Sequence, residues 1–235
     1  MTDSHLTFPF ATIGFDLDGT LVNSDADLHH AINHALALID RAPIPADQVR
    51  HLIGGGSRLM LERAFNLTGG AVAPKQFEPL YDALLTFYAA HIADFTRPYP
   101  GCLTALDALA ARGCKLAVVT NKPEHLTLLL LDQLAIRDRF ASVIGGDTLG
   151  PGRAKPAPDM IDETIARCGG DPRFAMVGDS SYDVRAAQAA GKPCVVLSFG
   201  YNDAPADTLG ADAVIDHYDE LIPALETLGR TGETR

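Results

Sequence analysis

From residue 96 onward, short apolar runs rich in Val and Ile alternate with segments whose apolar residues recur at helical spacing. The runs are Cys114 to Thr120, Ser142 to Gly146, Phe174 to Gly178, Pro193 to Ser198 and Ala213 to Ile215. Between them lie Leu103 to Arg112, Glu124 to Leu134, Asp159 to Cys168, Ser181 to Ala190 and Asp219 to Leu228. This rhythm leaves few folds open. Such alternation argues a parallel sheet with helices on both of its faces. The prediction is an α/β protein with a doubly wound, Rossmann-like parallel sheet core, which binds ligands beyond the carboxyl ends of its strands.

Residues 24 to 93 break the rhythm. They hold no convincing strand and four helical patterns, Ala26 to Ile39, Ala46 to Leu52, Ser57 to Phe65 and Lys75 to Ala93. Ser24 or Asp25 suits the cap of the first helix and Pro74 the opening of the last. The expected organisation is a core made of 1–22 and 96–235 with an inserted helical cap at 23–95. Hinges are expected at Val22 to Ser24 and at Asp94 to Pro100, where Arg97-Pro98-Tyr99-Pro100-Gly101 is stiff and turn-like.

Near the start, Ile13-Gly14-Phe15-Asp16-Leu17-Asp18-Gly19-Thr20-Leu21-Val22 reads as a buried strand that ends in two carboxylates. Side chains on an extended backbone repeat every second residue, so Asp16 and Asp18 project to the same side. Two such carboxylates stay ionised together only beside positive charge, and a hard cation such as Mg²⁺ supplies it. One as nucleophile and one as proton donor would suit covalent phosphoryl transfer. A strand followed by a plain Asx turn is the other reading. Three further polar clusters weigh against that: Val118-Val119-Thr120-Asn121-Lys122, Lys155-Pro156-Ala157-Pro158 and Met176-Val177-Gly178-Asp179-Ser180-Ser181-Tyr182-Asp183. In this order and spacing the four clusters resemble the signature motifs of the haloacid dehalogenase superfamily of phosphohydrolases. Thr120 to Pro123, Val143 to Asp147, Val177 to Ser180 and Gly200-Tyr201-Asn202 look like its phosphoglycolate phosphatase branch.

That resemblance implies a Mg²⁺-dependent phosphomonoesterase that hydrolyses 2-phosphoglycolate to glycolate and phosphate, with a four-helix cap inserted after the first motif. It implies Asp16 as the nucleophile forming an aspartyl-phosphate. Asp18 is implied as general acid and then base, its backbone carbonyl rather than its side chain reaching the metal. Asp179 would be the second metal carboxylate. Asp183, four residues on, is either a ligand through water, an orienter of Lys155, or a plain helix N-terminal acid. Lys155 is a point charge for the transferring group, and Thr120 and Asn121 hold the phosphoryl oxygens. Lys122 meets the substrate's remote end or is a surface lysine. In the cap, Gly54-Gly55-Gly56-Ser57-Arg58 forms an anion nest at Gly55 with Arg58 gripping a carboxylate, or else a flexible turn with Arg58 in solvent. His29 and His30 read as solvated helix residues.

Composition narrows the partners. Apolar residues make up 47% and charged residues 21%, as in ordinary globular proteins, and a net charge of −11 disfavours nucleic acid and anionic membranes. The same field opposes an anionic substrate, so Lys122, Lys155 and a metal must act locally. Cys102, Cys114, Cys168 and Cys194 have no paired spacing and read as free thiols. With no long apolar run, and with Asp3 and His5 where a leader would be basic, the expectation is a cytoplasmic monomer or homodimer with a polar tail at Gly229 to Arg235. The remaining alternatives are a phosphatase of another small ester or pyrophosphate, a sugar phosphomutase, and a non-catalytic phosphate-binding protein. A true dehalogenase is disfavoured because Asp18 is present.

Overall fold

A computed structural model describes residues 8–232. Its centre is a six-stranded, wholly parallel sheet in the order β5-β4-β1-β6-β7-β8. The strands are β1 (Thr12–Phe15), β4 (Lys115–Val119), β5 (Ser142–Ile144), β6 (Phe174–Gly178), β7 (Cys194–Leu197) and β8 (Ala213–Ile215). Each lies within a run expected to be a strand, except that β1 begins one residue early, at Thr12. Helices α5 (Cys102–Ala111), α6 (Glu124–Gln133), α7 (Asp159–Arg167) and α8 (Ser181–Ala189) lie in the connections between strands, and α9 (Leu221–Gly232) follows the last strand. Asp219 and Glu220, expected to open the last helix, belong to a separate 3-10 turn, Tyr218–Glu220. The helix then continues through positions 229–232, where a polar tail was expected. Residues 233–235, like Asp3 and His5, lie outside the described residues.

The period-2 alternation of the strands splits the core in two. Phe174, Met176, Cys194 and Val196 face a cluster with Met160 and Ile161 of α7 and Val184 and Ala187 of α8. Ala175, Val177, Val195 and Leu197 face the opposite cluster, which includes Leu106 and Leu109 of α5 and Leu221 and Leu225 of α9. Strands covered on both sides have no polar face, which is why their sequences read as unbroken apolar runs.

Four helices fill the expected cap: α1 (Asp25–Ala37), α2 (Ala46–Val49), α3 (Ser57–Leu67) and α4 (Pro74–Ala90). α2 is a single turn continued by a 3-10 turn, Arg50–Leu52, so the predicted second helix is split. Leu28, Ala31, Ile32, Ala35 and Leu36 form the inward stripe of α1, and Leu80, Leu84 and Tyr88 that of α4. Pro74 opens α4 as expected. Ser24 sits at the cap position of α1, but its hydroxyl serves Asp18 instead of the helix.

Where hinges were expected, two short strands pair antiparallel: β2 (Val22–Asn23) and β3 (Arg97–Pro98). Asp27 of α1, buried in the first helical turn, stitches this joint. Its carboxylate accepts from the backbone N–H groups of Phe95 and Thr96 and from the Thr96 hydroxyl at 2.6 Å. Asp27→Ala would strand the buried N–H and hydroxyl of Thr96, at about 1–3 kcal/mol each, and leave the part-buried N–H of Phe95 to water. The expected outcome is a loss of about 3 kcal/mol in urea unfolding, with Asp27→Asn losing less because one acceptor remains.

Candidate active site

The three central strands deliver the chemistry. In register, Phe15 of β1 lies beside Val118 of β4 and Val177 of β6, so the chain leaves the sheet at nearly one level in all three. Asp16, Thr120 and Asp179 follow those strand ends directly, and Asp16 still donates its N–H to the Val177 carbonyl at 2.9 Å. Strands on either side of β1 are reached by crossovers of opposite direction, which opens a crevice there.

Carboxylate oxygens of Asp16, Asp179 and Asp183 all lie within 4.8 Å of one another. All three residues are buried. The buried ammonium of Lys155 stands 3.1 Å from Asp16 Oδ1 and 2.5 Å from Asp183 Oδ1. The other oxygen of Asp183 accepts from the N–H groups of Asp179 and Ser180 and from the Ser180 hydroxyl, closing a capping box on α8. Gly178 permits this approach, since a Cβ there would fall 2.3 Å from the Asp183 Cγ. Asp179 is held by the Thr20 hydroxyl at 2.7 Å and the Tyr201 N–H at 2.6 Å. Asn202 donates to its carbonyl.

Burial, opposed by Lys155 and reinforced by Asp183, brings the Asp16 carboxyl up to about 6. Burial, with Asp16 and then Asp183 as like charges, pushes Asp179 well above the carboxylate range. Burial works against the charge on Lys155, yet Asp16 and Asp183 outweigh it and hold the ammonium above its usual range. Three carboxyls therefore share one cation. This donor set of hard oxygens with uncompensated charge fits Mg²⁺, which binds through one or two carboxylates. Asp16 and Asp179 are the better placed to hold it: Asp183 already accepts from the Lys155 ammonium and three further donors, whereas each oxygen of Asp179 meets a single neutral donor.

Asp18 sits apart from that cluster. Its carboxylate accepts from the Ser24 hydroxyl at 2.6 Å and from Lys122 Nζ at 2.8 and 3.0 Å. Lys122, with a side chain 4% exposed, is not the surface lysine of the second reading. Its ammonium also donates to the Tyr88 hydroxyl of α4 at 2.7 Å. Asn121 is likewise an anchor to the cap: its Nδ2 donates to the carbonyls of Lys155 at 3.0 Å and Gly54 at 3.3 Å. Core and cap also meet where Arg50 reaches the Phe199 carbonyl and Arg63 the Tyr182 hydroxyl.

A narrow cavity of about 40 Å³ lies between cap and core, lined by Asp16, Asp18, Thr120, Asn121, Lys122, Tyr88 and Ser57 with leucines, Ile53 and Met60. Two cap expectations are corrected. Arg58 does not reach this cavity: it is half exposed and makes a bidentate pair with Glu78 at 2.9 Å. Its guanidinium lies over the rings of Phe77 and Tyr81. The turn of α3 that sends Ser57 and Met60 inward sends Arg58 outward to α4. Gly55 also misses the cavity wall, which Gly54 and Gly56 form; Gly55 packs instead on Leu59 and Tyr182. His29 is tied to the Ile44 carbonyl and Asn33, and His30 sets its ring edge against Phe95.

Sequence reasoning missed Thr20, Ser24, Tyr88 and Tyr201 as partners of the acids. Thr20 and Ser24 stand beside the first motif and Tyr201 in a quoted stretch, so position was a signal for these. Tyr88 gave none, because its place on the apolar stripe of α4 reads as core.

A family model for haloacid dehalogenase-like hydrolases matches residues 10–191. The phosphoglycolate phosphatase of Agrobacterium fabrum is 43% identical over 212 residues, 90% of each chain. That of Caulobacter vibrioides is 43% identical over 219 residues, 93% of this chain and 92% of its own. A crystal structure described as a predicted phosphoglycolate phosphatase from Haemophilus somnus superimposes with a TM-score of 0.86 at 32% identity, over 92% of this chain and 97% of the other. By motif, fold and relatedness, the chain belongs to the haloacid dehalogenase-like hydrolases.

Proposed function

We propose that this hydrolase is a Mg²⁺-dependent phosphomonoesterase acting on 2-phosphoglycolate. The observation that carries the reaction class is the convergence of Asp16, Asp179, Asp183 and Lys155 at the ends of the central strands. Relatives named phosphoglycolate phosphatase, 43% identical over nine-tenths of the chain, support the substrate. On this reading a catalytic core of 1–22 and 96–235 carries a closing cap of 23–95, a division supported by the β2–β3 ribbon and Asp27 at the joint.

Asp16 is the nucleophile. Its carboxylate oxygen bonds to phosphorus as the bond from phosphorus to the glycolate oxygen breaks, and that electron pair leaves with the oxygen. Asp18 gives the leaving oxygen a proton, then takes one from the water that cleaves the aspartyl-phosphate and restores Asp16. Lys122 and Ser24 fix the Asp18 carboxylate two residues from the nucleophile. Thr120 holds a phosphoryl oxygen, and Asn121 positions Lys155 through its backbone. Asp183 aims Lys155 at Asp16 and at the charge that gathers on the phosphoryl group. Asp16 and Asp179, with the Asp18 backbone carbonyl, would hold Mg²⁺, which when bound would offset the phosphate charge that repels the nucleophile. Closure of the cap over the bound ester excludes bulk water. Among the described residues no helix is long and apolar enough to cross a membrane.

Asp16→Asn is expected to abolish Mg²⁺-dependent phosphate release from phosphoglycolate, a loss of at least about 10³-fold in kcat measured by free phosphate. Metal binding has its own readout. Asp16 titrates at about 6 in the folded protein against 3.8 ordinarily, so the folded state holds its proton more tightly. Stability of the metal-free protein therefore falls as pH rises from about 4 to about 6 and levels above that. Added Mg²⁺ is expected to raise Tm by several degrees at about pH 7.5, much less at about pH 5, and not at all in Asp179→Asn. Finally, Arg58→Ala, on the outer face of the cap, is expected to leave kcat/KM for phosphoglycolate within about twofold, since exposed pairs contribute little.

A further inference from the structure

A substrate with a carboxylate at its remote end brings a charge into a cavity whose cap wall is largely leucine, isoleucine and methionine. Such a charge needs a cation and a hydrogen-bond donor there. With Arg58 turned away, Lys122 is the one cationic side chain among the described residues lining that cavity. Its three N–H bonds are matched to three acceptors: the two oxygens of Asp18 and the hydroxyl oxygen of Tyr88. The Tyr88 oxygen therefore accepts, and its own O–H remains available to donate. Lys122 also lies 4.4 Å from the centre of the Tyr88 ring, and Tyr88 is 2% exposed. A donor whose oxygen already accepts from an ammonium is polarised and strengthened. Burial keeps that phenol protonated by raising it well above its usual range.

We propose that Tyr88 is the residue that reads the carboxylate end of the substrate: its hydroxyl donates to the carboxylate, with Lys122 as the charge behind it. This deepens the phosphoglycolate reading and rests on it for the choice of a two-carbon acid. Tyr88 belongs to the cap and Lys122 to the core, so the contact forms only when the two are closed. Lys122 also holds Asp18, so the same ammonium links the remote end of the substrate to the residue that protonates its bridging oxygen. Specificity in such a site comes from what an incorrect ester leaves unpaired. Ethyl phosphate has the same reacting end but offers the Tyr88 donor no carboxylate.

The test compares wild type and Tyr88→Phe on 2-phosphoglycolate, phospholactate and ethyl phosphate with Mg²⁺ present. Phenylalanine keeps the ring beside Lys122 and removes only the hydroxyl. The expected result is a fall of at least tenfold in the ratio of kcat/KM for the carboxylated esters to that for ethyl phosphate, carried mainly by KM. An unchanged ratio overturns the proposal, whether activity is kept or lost equally on all three. A wild type that prefers phospholactate to phosphoglycolate, with the ratio still falling in the variant, retains Tyr88 and removes the phosphoglycolate reading. A wild type indifferent to the carboxylate overturns both. Should the variant fail to fold, wild type alone decides by comparing phosphoglycolate with its neutral carboxamide. A preference of at least tenfold for the acid supports the carboxylate grip, and equal turnover overturns it.

Discussion

Three buried carboxyls share the single ammonium of Lys155, and that imbalance organises the rest of the site. In a compact core, like charges this close favour protonation or a bound cation, and the first tendency shows in the raised values of Asp16 and Asp179. The fold supplies the counterweights at fixed positions. The Asp183 carboxylate closes the first turn of α8, the Tyr201 N–H and Thr20 hydroxyl hold Asp179, and Lys155 stands against Asp16 from the loop before α7. Each support comes from a different segment, so the cluster exists only when the sheet is complete.

Strain of this kind sets stability against function. Replacing a buried ion group with apolar residues of similar volume is often neutral or stabilising, whereas removing one partner strands the other. The acids here are therefore not explained as stabilisers of the fold; they are tolerated because the apolar layers on both faces of the sheet hold it together without them. A bound cation relieves the repulsion, which couples occupancy of the site to folding.

What could be read from the chain divides along the same line. Strands covered on both faces show as unbroken apolar runs, and Asp16, Thr120 and Asp179 stand where those runs end, so the core and its acids were legible. The sheet order places β1 between β4 and β6, a consequence of crossovers that no local pattern states. In the cap the placement of Arg58 at the cavity failed for a geometric reason. A helix places neighbours about 100° apart, so a small difference in where α3 begins decides whether position 57 or 58 faces the cavity. Arg58 took the outer side, where Glu78 and two aromatic rings receive it. Lys122 could be read two ways because its partners, Asp18 and Tyr88, lie 104 and 34 residues away. Tyr88 was hidden for the opposite reason: its ring satisfies the apolar stripe of α4, and only its hydroxyl leaves that role.

An enzyme with a net charge of −11 must still admit an anion with charge at both ends. The long-range field opposes approach, so attraction has to be short-ranged and confined to the crevice. The structure arranges this by burying two lysines and pairing each with an acid proposed to act on the ester: Lys155 with Asp16 and Lys122 with Asp18. Neither lysine is available to arbitrary surface anions. An ester profits from them only once it is inside, where low polarity makes each charge count for more. The cap then has a clear physical task, because the Lys122–Tyr88 contact and the Asn121–Gly54 contact both cross the seam and both border the cavity. Closing the seam completes the polar surroundings of the substrate and removes water in one movement, so recognition of the remote end and protection of the reacting end depend on the same interface.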